Sequence, residues 1–504
     1  MKKMKKITAI VLSLMLCITP FFVSAFAAGP GAPPGSGGGS SSPTFSGKTT
    51  LTSSTNKSGV SYTSKTGSEN ALLASGGTST LKNITVNKTG DASDENADFY
   101  GTNAAVLAYN GATLNISGAK VTTAAAHANG VFAYENGTIN ISDSTIKTTG
   151  NNSGAVMVTG GGTLTATNVS AETDGNSSAP IRSDRGGGTL TVNGGSYTAN
   201  GKGSPAMYST ADITVNNATL NSTSAEGVVI EGSNSVTLNN TTLTDNNTSL
   251  NGNSETYKNI FIYQSMSGDA SEGTGTFNAT DSTITTKNGD TFFVTNTTAV
   301  INLTNNKITN TDSEGALIRI QSGKWGNSGS NGGTVTLNAS KQTLNGDVIA
   351  DSISSLALTM SEGSTYTGTV NADDSAKNIT LKLDASSTIT LTGDSYITSL
   401  ENESSDNANI NLNGHTLYVN GKAITSTAYQ ESKTVSESTT TATTTAAEAQ
   451  AETTGTESNT LTYVIIGVLA AAAVAVVITF VVVKTRKNAK KNIVGDSSEN
   501  KKEP

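Results

Sequence analysis

The stretch TLNISGAKV at 113–121 returns at 138–146 as TINISDSTI, and these two segments read together decide the fold. Each places an apolar residue, a polar one, a second apolar residue, four mostly polar residues, then a third apolar one: Leu114/Ile116/Val121 and Ile139/Ile141/Ile146. The spacing recurs outward as Leu164/Ala166/Ala171, Leu190/Val192/Tyr197, Ile213/Val215/Leu220, Val236/Leu238/Leu243, Phe277/Ala279/Ile284 and Ile301/Leu303/Ile308. Copies thus begin at positions 114, 139, 164, 190, 213, 236, 277 and 301, an even step with one long interval. Alternation of period two marks short strands, and a recurring step of roughly 25 residues means that each unit shares its core with its neighbours. The expectation is a solenoid.

Turn chemistry agrees. Asn-Gly, Gly-Gly and Asp-Ser pairs punctuate each copy, supplying positive φ or side-chain-to-backbone turns. Leucine-rich repeats would show a different consensus, and propeller blades need longer units with four strands. A coil of about 25 residues with three short strands fits an all-β fold, a right-handed parallel β-helix with rungs ~4.8 Å apart. From about 370 the apolar spacing tightens: Ile379/Leu381/Leu383, Ile389/Leu391, Ile410/Leu412 and Leu417/Val419. Closing rungs that cover an exposed sheet edge would look like this.

The two ends read differently. Residues 1–27 have the make-up of a signal peptide: four lysines, an apolar run from Ile7 to Val23, and small residues at Ala25-Phe26-Ala27. The only cysteine, Cys17, lies inside that run. A mature chain would therefore carry no disulfide and no cysteine-based metal or nucleophile site. Residues 28–47 form a Gly/Pro/Ser-rich leader, 48–425 the repeat ectodomain, and 426–460 a Thr/Ser/Glu-rich stalk. Residues 461–483 read as one transmembrane helix, with Val464 to Val483 free of charge. Such a run is long enough to cross ~30 Å of hydrocarbon. The basic tail 484–504 then lies in the cytoplasm by the positive-inside rule, giving a single-pass plasma-membrane protein with its ectodomain outside.

Setting aside the ends, 20 Lys+Arg face 36 Asp+Glu between positions 28 and 483. So acidic a surface repels phosphate and uronate backbones, which argues against nucleic acid as a partner. An extracellular glycan, or a protein on a host or neighbouring cell, suits it better.

With the repeat length, the strand pattern and the segments Ser178-Ala-Pro-Ile-Arg-Ser183 and Ile262-Tyr-Gln-Ser-Met-Ser-Gly268, the chain resembles the pectin-lyase-like β-helix proteins. The likeness is greatest to adhesin-like surface proteins of Gram-positive bacteria. Enzymes of that fold mostly cleave acidic polysaccharides. The hydrolases among them carry Asn-Thr-Asp, Asp-Asp, Gly-His-Gly and Arg-x-Lys in that order. Here Asn310-Thr-Asp312, Arg319-Ile-Gln321, Asp373-Asp374 and Gly414-His-Thr416 depart from that order, and two are mismatched. A lyase would need carboxylates holding calcium beside a basic residue, and Arg182-Ser-Asp184-Arg185 is the one rung where strong charges cluster. A surface ion-paired group between a strand and its turn is the preferred account of that cluster. Asp94-Glu-Asn96-Ala-Asp98 has the first ligand spacings of a calcium loop but Phe99 and Ala105 where glycine and an acid belong. No metal or other cofactor is expected, and catalysis is the alternative rather than the first reading. A passive structural coat is the third.

Recognition residues come from register. Leu107, Phe132, Met157 and Arg182 form one column, and Tyr109, Tyr134, Thr159 and Asp184 a second on the same side of the sheet. If the Val/Ala columns (Val131, Ala133, Val156, Val158) face inward, Tyr109, Phe132 and Tyr134 stand exposed for stacking on sugars or a flat protein surface. Lengthened gaps after Leu243 and Ile308 bring Tyr263, Gln264 and Trp325, the only tryptophan, toward the same role. The candidate ligand-binding set is therefore Tyr109, Phe132, Tyr134, Arg182, Asp184, Arg185, Tyr263, Gln264 and Trp325.

Overall fold

The computed structural model describes residues 43–252 and 254–426. Strands of the repeat units stack in three columns around one apolar interior. The first column is a 12-stranded parallel sheet running from Gly47–Leu51 through Val131–Tyr134 and Met207–Ser209 to Val348–Ala350. The second and third columns share a 22-stranded sheet, and two strands, Gly162–Thr173 and Gly188–Ala199, run through both. A four-stranded sheet continues the stack toward the C-terminal end. The chain is a parallel β-solenoid.

The apolar spacing explains this geometry. Leu114, Ile116 and Val121 pair in register with Ile139, Ile141 and Ile146, and both sets are buried in the shared core. The later copies do the same down to Ile301 and Leu303, with Ile308 packed against them. Each burial contributes ~1.5–3 kcal/mol, but only because the rungs above and below complete the contact. A strand with a parallel neighbour on each side has its backbone groups paired, so among the described strands unpaired edges are left at the two ends and where one sheet gives way to the next.

At the C-terminal end the stack above the first column finishes in a local reversal. Leu417–Val419 pairs antiparallel with Lys422–Ala423, the one antiparallel pairing among the described strands. The apolar residues of the tightened spacing, Ile379 to Leu417, lie in the same core as those of the earlier rungs. At the other end strand pairing begins slightly before 48, at Gly47, and Phe45 packs against Tyr109 with ring centroids 4.2 Å apart and planes tilted by 36°.

Insertions break the even step in the first column. Val106, Val131, Val156 and Ile181 follow one another at a constant interval, but Leu72 pairs with Val106, Val228 with Ile260 and Ile260 with Phe292 over longer ones. The excess forms a segment with a short helix, Asn96–Tyr100, and loops around 246–257, 264–273 and 321–332. Among the described residues no helix is long and apolar enough to cross a membrane; 461–483 lies outside them, as do 1–27, most of the leader, the stalk and the tail.

Candidate functional site

Strand alternation sends Val131, Ala133, Val156 and Val158 into the interior, so the columns holding the candidate residues point outward from the first sheet. Their exposure does not follow. Phe132 is fully buried and Tyr134 nearly so, in a second apolar cluster with Leu73, Ala104, Leu107 and Met157, outside the solenoid core. The cover is the inserted segment around Asn96–Tyr100 together with Phe45. Tyr100 meets Tyr134 edge-on at 5.4 Å, and Gly101 lies against the Phe132 ring. Gly101 takes φ 73° as it ends the helix, and a Cβ there would sit 2.7 Å from the Phe132 ring. Only Tyr109 of this trio keeps partial exposure.

The charged rung is equally closed. The Arg182 guanidinium donates to Asp184 Oδ2 at 3.0 Å and to the Ser177 carbonyl at 3.2 Å. Burial works against its charge, but Asp184 and Asp98 hold its pKa above the ordinary value. Burial also pushes the Asp184 carboxyl up, aided by Asp269 and opposed by Arg182. Asp98 bonds the His127 Nδ1 at 2.8 Å, and Asp94 accepts the Ala97 amide. Asp94 thus serves the helix and Asp98 this pair. His127 occupies a turn between rungs with φ 54°. Arg185 stacks over Phe99 at 3.8 Å and pairs with Asp269 of the 264–273 loop. One side chain ties two insertions together.

Farther along the same face, Tyr263 belongs to the strand Lys258–Tyr263 rather than to a loop. With Val229, Phe261 and Phe293 it forms a third apolar cluster, against which Trp325 and Tyr208 pack. Trp325 lies 5.2 Å from Tyr263 and 5.3 Å from Phe261 and stays half-buried. Its loop is pinned because Asn331 Nδ2 donates to the Gly323 and Trp325 carbonyls at 2.8 Å each. Gln264 is buried, its amide donating to the Ser265 and Ala270 carbonyls.

Two arrangements escape sequence reasoning. Glu231, 1% exposed, accepts hydrogen bonds from Tyr208, Tyr263 at 3.0 Å and Ser265. Burial, together with Glu231, raises both tyrosine pKa values well above the ordinary range, so they remain donors. Second, Glu226, Lys258 and Asp290 follow on successive rungs. Lys258 Nζ sits 3.4 Å from Glu226, and Arg319 grips Asp290 through two nitrogens at 2.6 and 3.2 Å. Only same-face alternation, carried across the insertions, would have aligned them.

All nine candidate residues therefore lie on or beside one face, but not in one pocket. Tyr109 and Tyr263 stand six rungs apart along the first column. At ~4.8 Å per rung that is about 29 Å. The hydrolase-like fragments are not gathered either: Asp312 accepts the Gly289 amide, Arg319 serves Asp290, and Asp373-Asp374 and His415 lie rungs away. Carboxylates that attack or protonate a sugar must reach it, and Asp184 and Glu231 are committed to buried partners. What faces solvent is the Trp325 edge, Lys324, Met266 and part of Arg185.

No protein-family model, curated protein or solved structure matches this chain. The class defined by its own geometry is a parallel β-solenoid with roofed insertions on one face.

Proposed function

We propose that this chain is a bacterial cell-surface protein, held in the plasma membrane by one helix, whose solenoid binds extracellular glycans or a neighbouring cell's surface protein without altering them. The observation that carries the reading is the Trp325 loop. A half-buried indole rests on Tyr263 and Phe261, its backbone is held by Asn331, and exposed Lys324 stands beside it. A rigid aromatic with polar neighbours binds at small entropic cost, because little is left to order. The winding in this reading is right-handed, as crossovers between parallel strands nearly always are, and the kinship is with pectin-lyase-like, adhesin-like proteins. The signal-like start, the apolar run 464–483 and the basic tail support the topology.

The test is a glycan array and a cell-adhesion assay with wild type, Trp325→Ala and Arg182→Ala. Recognition predicts a signal that falls about tenfold in Trp325→Ala, the scale of one buried aromatic contact. Release of products from a polysaccharide, abolished in Arg182→Ala, would instead establish the enzyme reading.

A further inference from the structure

The second column of strands has an outer face unlike the rest of this acidic molecule. Its middle outward position, followed rung by rung from Asn115 to Thr359, holds only threonine or asparagine. The next outward position along the strand, from Ser117 to Ser361, holds only serine, threonine or asparagine. In the outward position before, from Thr113 to Ala357, Asp212 is the single charge. Among the described residues no insertion from the first column roofs this face, and its side chains are part-exposed.

The amides are ordered before any partner arrives. Asn140 donates to Asn115 at 3.0 Å, Asn216 to Asn193 and Asn239 to Asn216 at 2.9 Å, and Asn302 to Asn278 and Asn338 to Asn302 at 2.8 Å. Each such bond uses one N–H and one oxygen lone pair, leaving a second donor and a second acceptor turned to solvent. On the outer face of the second column a shallow open groove of about 200 Å³ crosses four rungs, from Thr80 through Asn115 and Asn140 to Thr165, with Ser117, Ser142 and Thr167 beside them.

We infer that this groove and the neutral face continuing from it bind an extended, uncharged polysaccharide strand lying along the solenoid axis. The inference rests on the glycan-recognition reading and moves its principal contact from the Trp325 loop to the second column. Three physical points select this occupant. Charge comes first: these three outward rows hold a single charge, Asp212, so the face offers a uronate or phosphate no cation and costs a neutral polymer nothing. Period comes second, since rungs ~4.8 Å apart come close to the length of one pyranose unit in an extended chain, so successive sugars meet successive rungs of amide or hydroxyl groups. Preorganisation comes third, because the ladders hold the amides in place and many weak contacts then add along the strand. Threonine methyls supply the apolar footing for sugar C–H groups.

The experiment is affinity electrophoresis of the purified full chain in native gels containing hydroxyethylcellulose, xyloglucan or polygalacturonate. The wild type is compared with Asn140→Asp/Thr165→Glu, Asn140→Ala/Thr165→Ala and Trp325→Ala. Retardation by a neutral polymer, insensitive to salt and absent with polygalacturonate, is expected, with about tenfold weakening in both ladder variants. Unchanged thermal unfolding of the alanine variant keeps the result independent of folding. Retardation lost in Trp325→Ala but intact in both ladder variants overturns this inference and leaves glycan recognition standing. Retardation by no polymer overturns both. A ladder variant that changes oligomeric state instead identifies the face as a self-association surface and also sinks the inference.

Discussion

Asp245 is the residue whose chemistry is most at odds with its surroundings. It lies in the inward column that passes through Ser222 and Thr286, where the usual occupant is a hydroxyl. Thr148 donates to the Ser153 carbonyl at 2.6 Å and Ser222 to that of Ala225 at 3.0 Å; both need a hydrogen to give. An ionised carboxylate has none. Both Asp245 side-chain oxygens are buried with no donor at full hydrogen-bond geometry, and burial, against the weaker pull of the nearby Asn247 and Lys287 amides and with Glu226 adding to it, pushes its pKa up to about 8. A folded-state pKa above the unfolded value of ~3.9 means the native state binds the extra proton. The associated stability is complete below about pH 4 and is lost as pH rises toward 8. Asp245→Asn should therefore match wild type at pH 4 and exceed it at pH 7.5 by on the order of 3 kcal/mol, read from urea unfolding across pH. Equal curves at both pH values would mean the carboxylate is paired. Gly101 gives a second case, since its positive φ and its contact with Phe132 both exclude a side chain. Gly101→Ala should lower stability by about 1–2 kcal/mol, measured by thermal melting.

At the scale of elements, the insertions decide what the strands present. The lengthened gap after Leu243 is visible in the sequence because an apolar repeat is interrupted, and it does mark the 246–257 and 264–273 loops. The roof over Phe132 is not visible in the same way. Residues 94–104 precede the first clean copy of the repeat, and the helix Asn96–Tyr100 shows no apolar period of its own. An outward position on a strand reads as solvent unless the segment that covers it is known. Hence register gave the direction of Phe132 correctly and its burial wrongly. Arg185 then joins the two covers, stacking on Phe99 and pairing with Asp269. Its side chain is 44% exposed, so the pair itself contributes under ~1 kcal/mol. Arg185→Ala should leave the melting temperature within a few degrees while limited proteolysis near exposed Met266 speeds up several-fold, since local opening and global stability are separable. A large drop in melting temperature would mean that the two covers fold as one unit with the solenoid.

For the whole molecule, the repeat makes a statement about additivity that a globular core does not. Val131, Phe132 and Ala133 pair in register with Val106, Leu107 and Ala108 on one side and with Val156, Met157 and Val158 on the other, each one rung away. Deleting 131–155 joins Gly130 directly to Val156, a residue with the same inward direction and the same place in its column. The asparagine ladder loses Asn140, but Asn115 then faces Thr165, still neutral and still outward. Stability in such an array is a sum of rungs and their interfaces, so the shortened chain should fold, bind neutral glycan with slightly reduced affinity, and melt within ~5 °C of wild type. Deleting only 131–141 removes less than half a rung, so Gly130 joins Ser142 and Ser142-Asp-Ser-Thr145 falls where Val131–Tyr134 stood, leaving the interior of that rung without its apolar residues. That variant should aggregate. Removal of 395–426 leaves intact rungs but takes away the antiparallel pair Leu417–Val419 and Lys422–Ala423, exposing the strands beneath as a bare parallel edge. It should retain strand content by circular dichroism yet associate in size-exclusion chromatography, growing with concentration. If the full-rung deletion aggregated as readily as the partial one, contacts beyond nearest neighbours would have to hold the molecule together, and the repeat would be a record of its ancestry rather than the source of its stability.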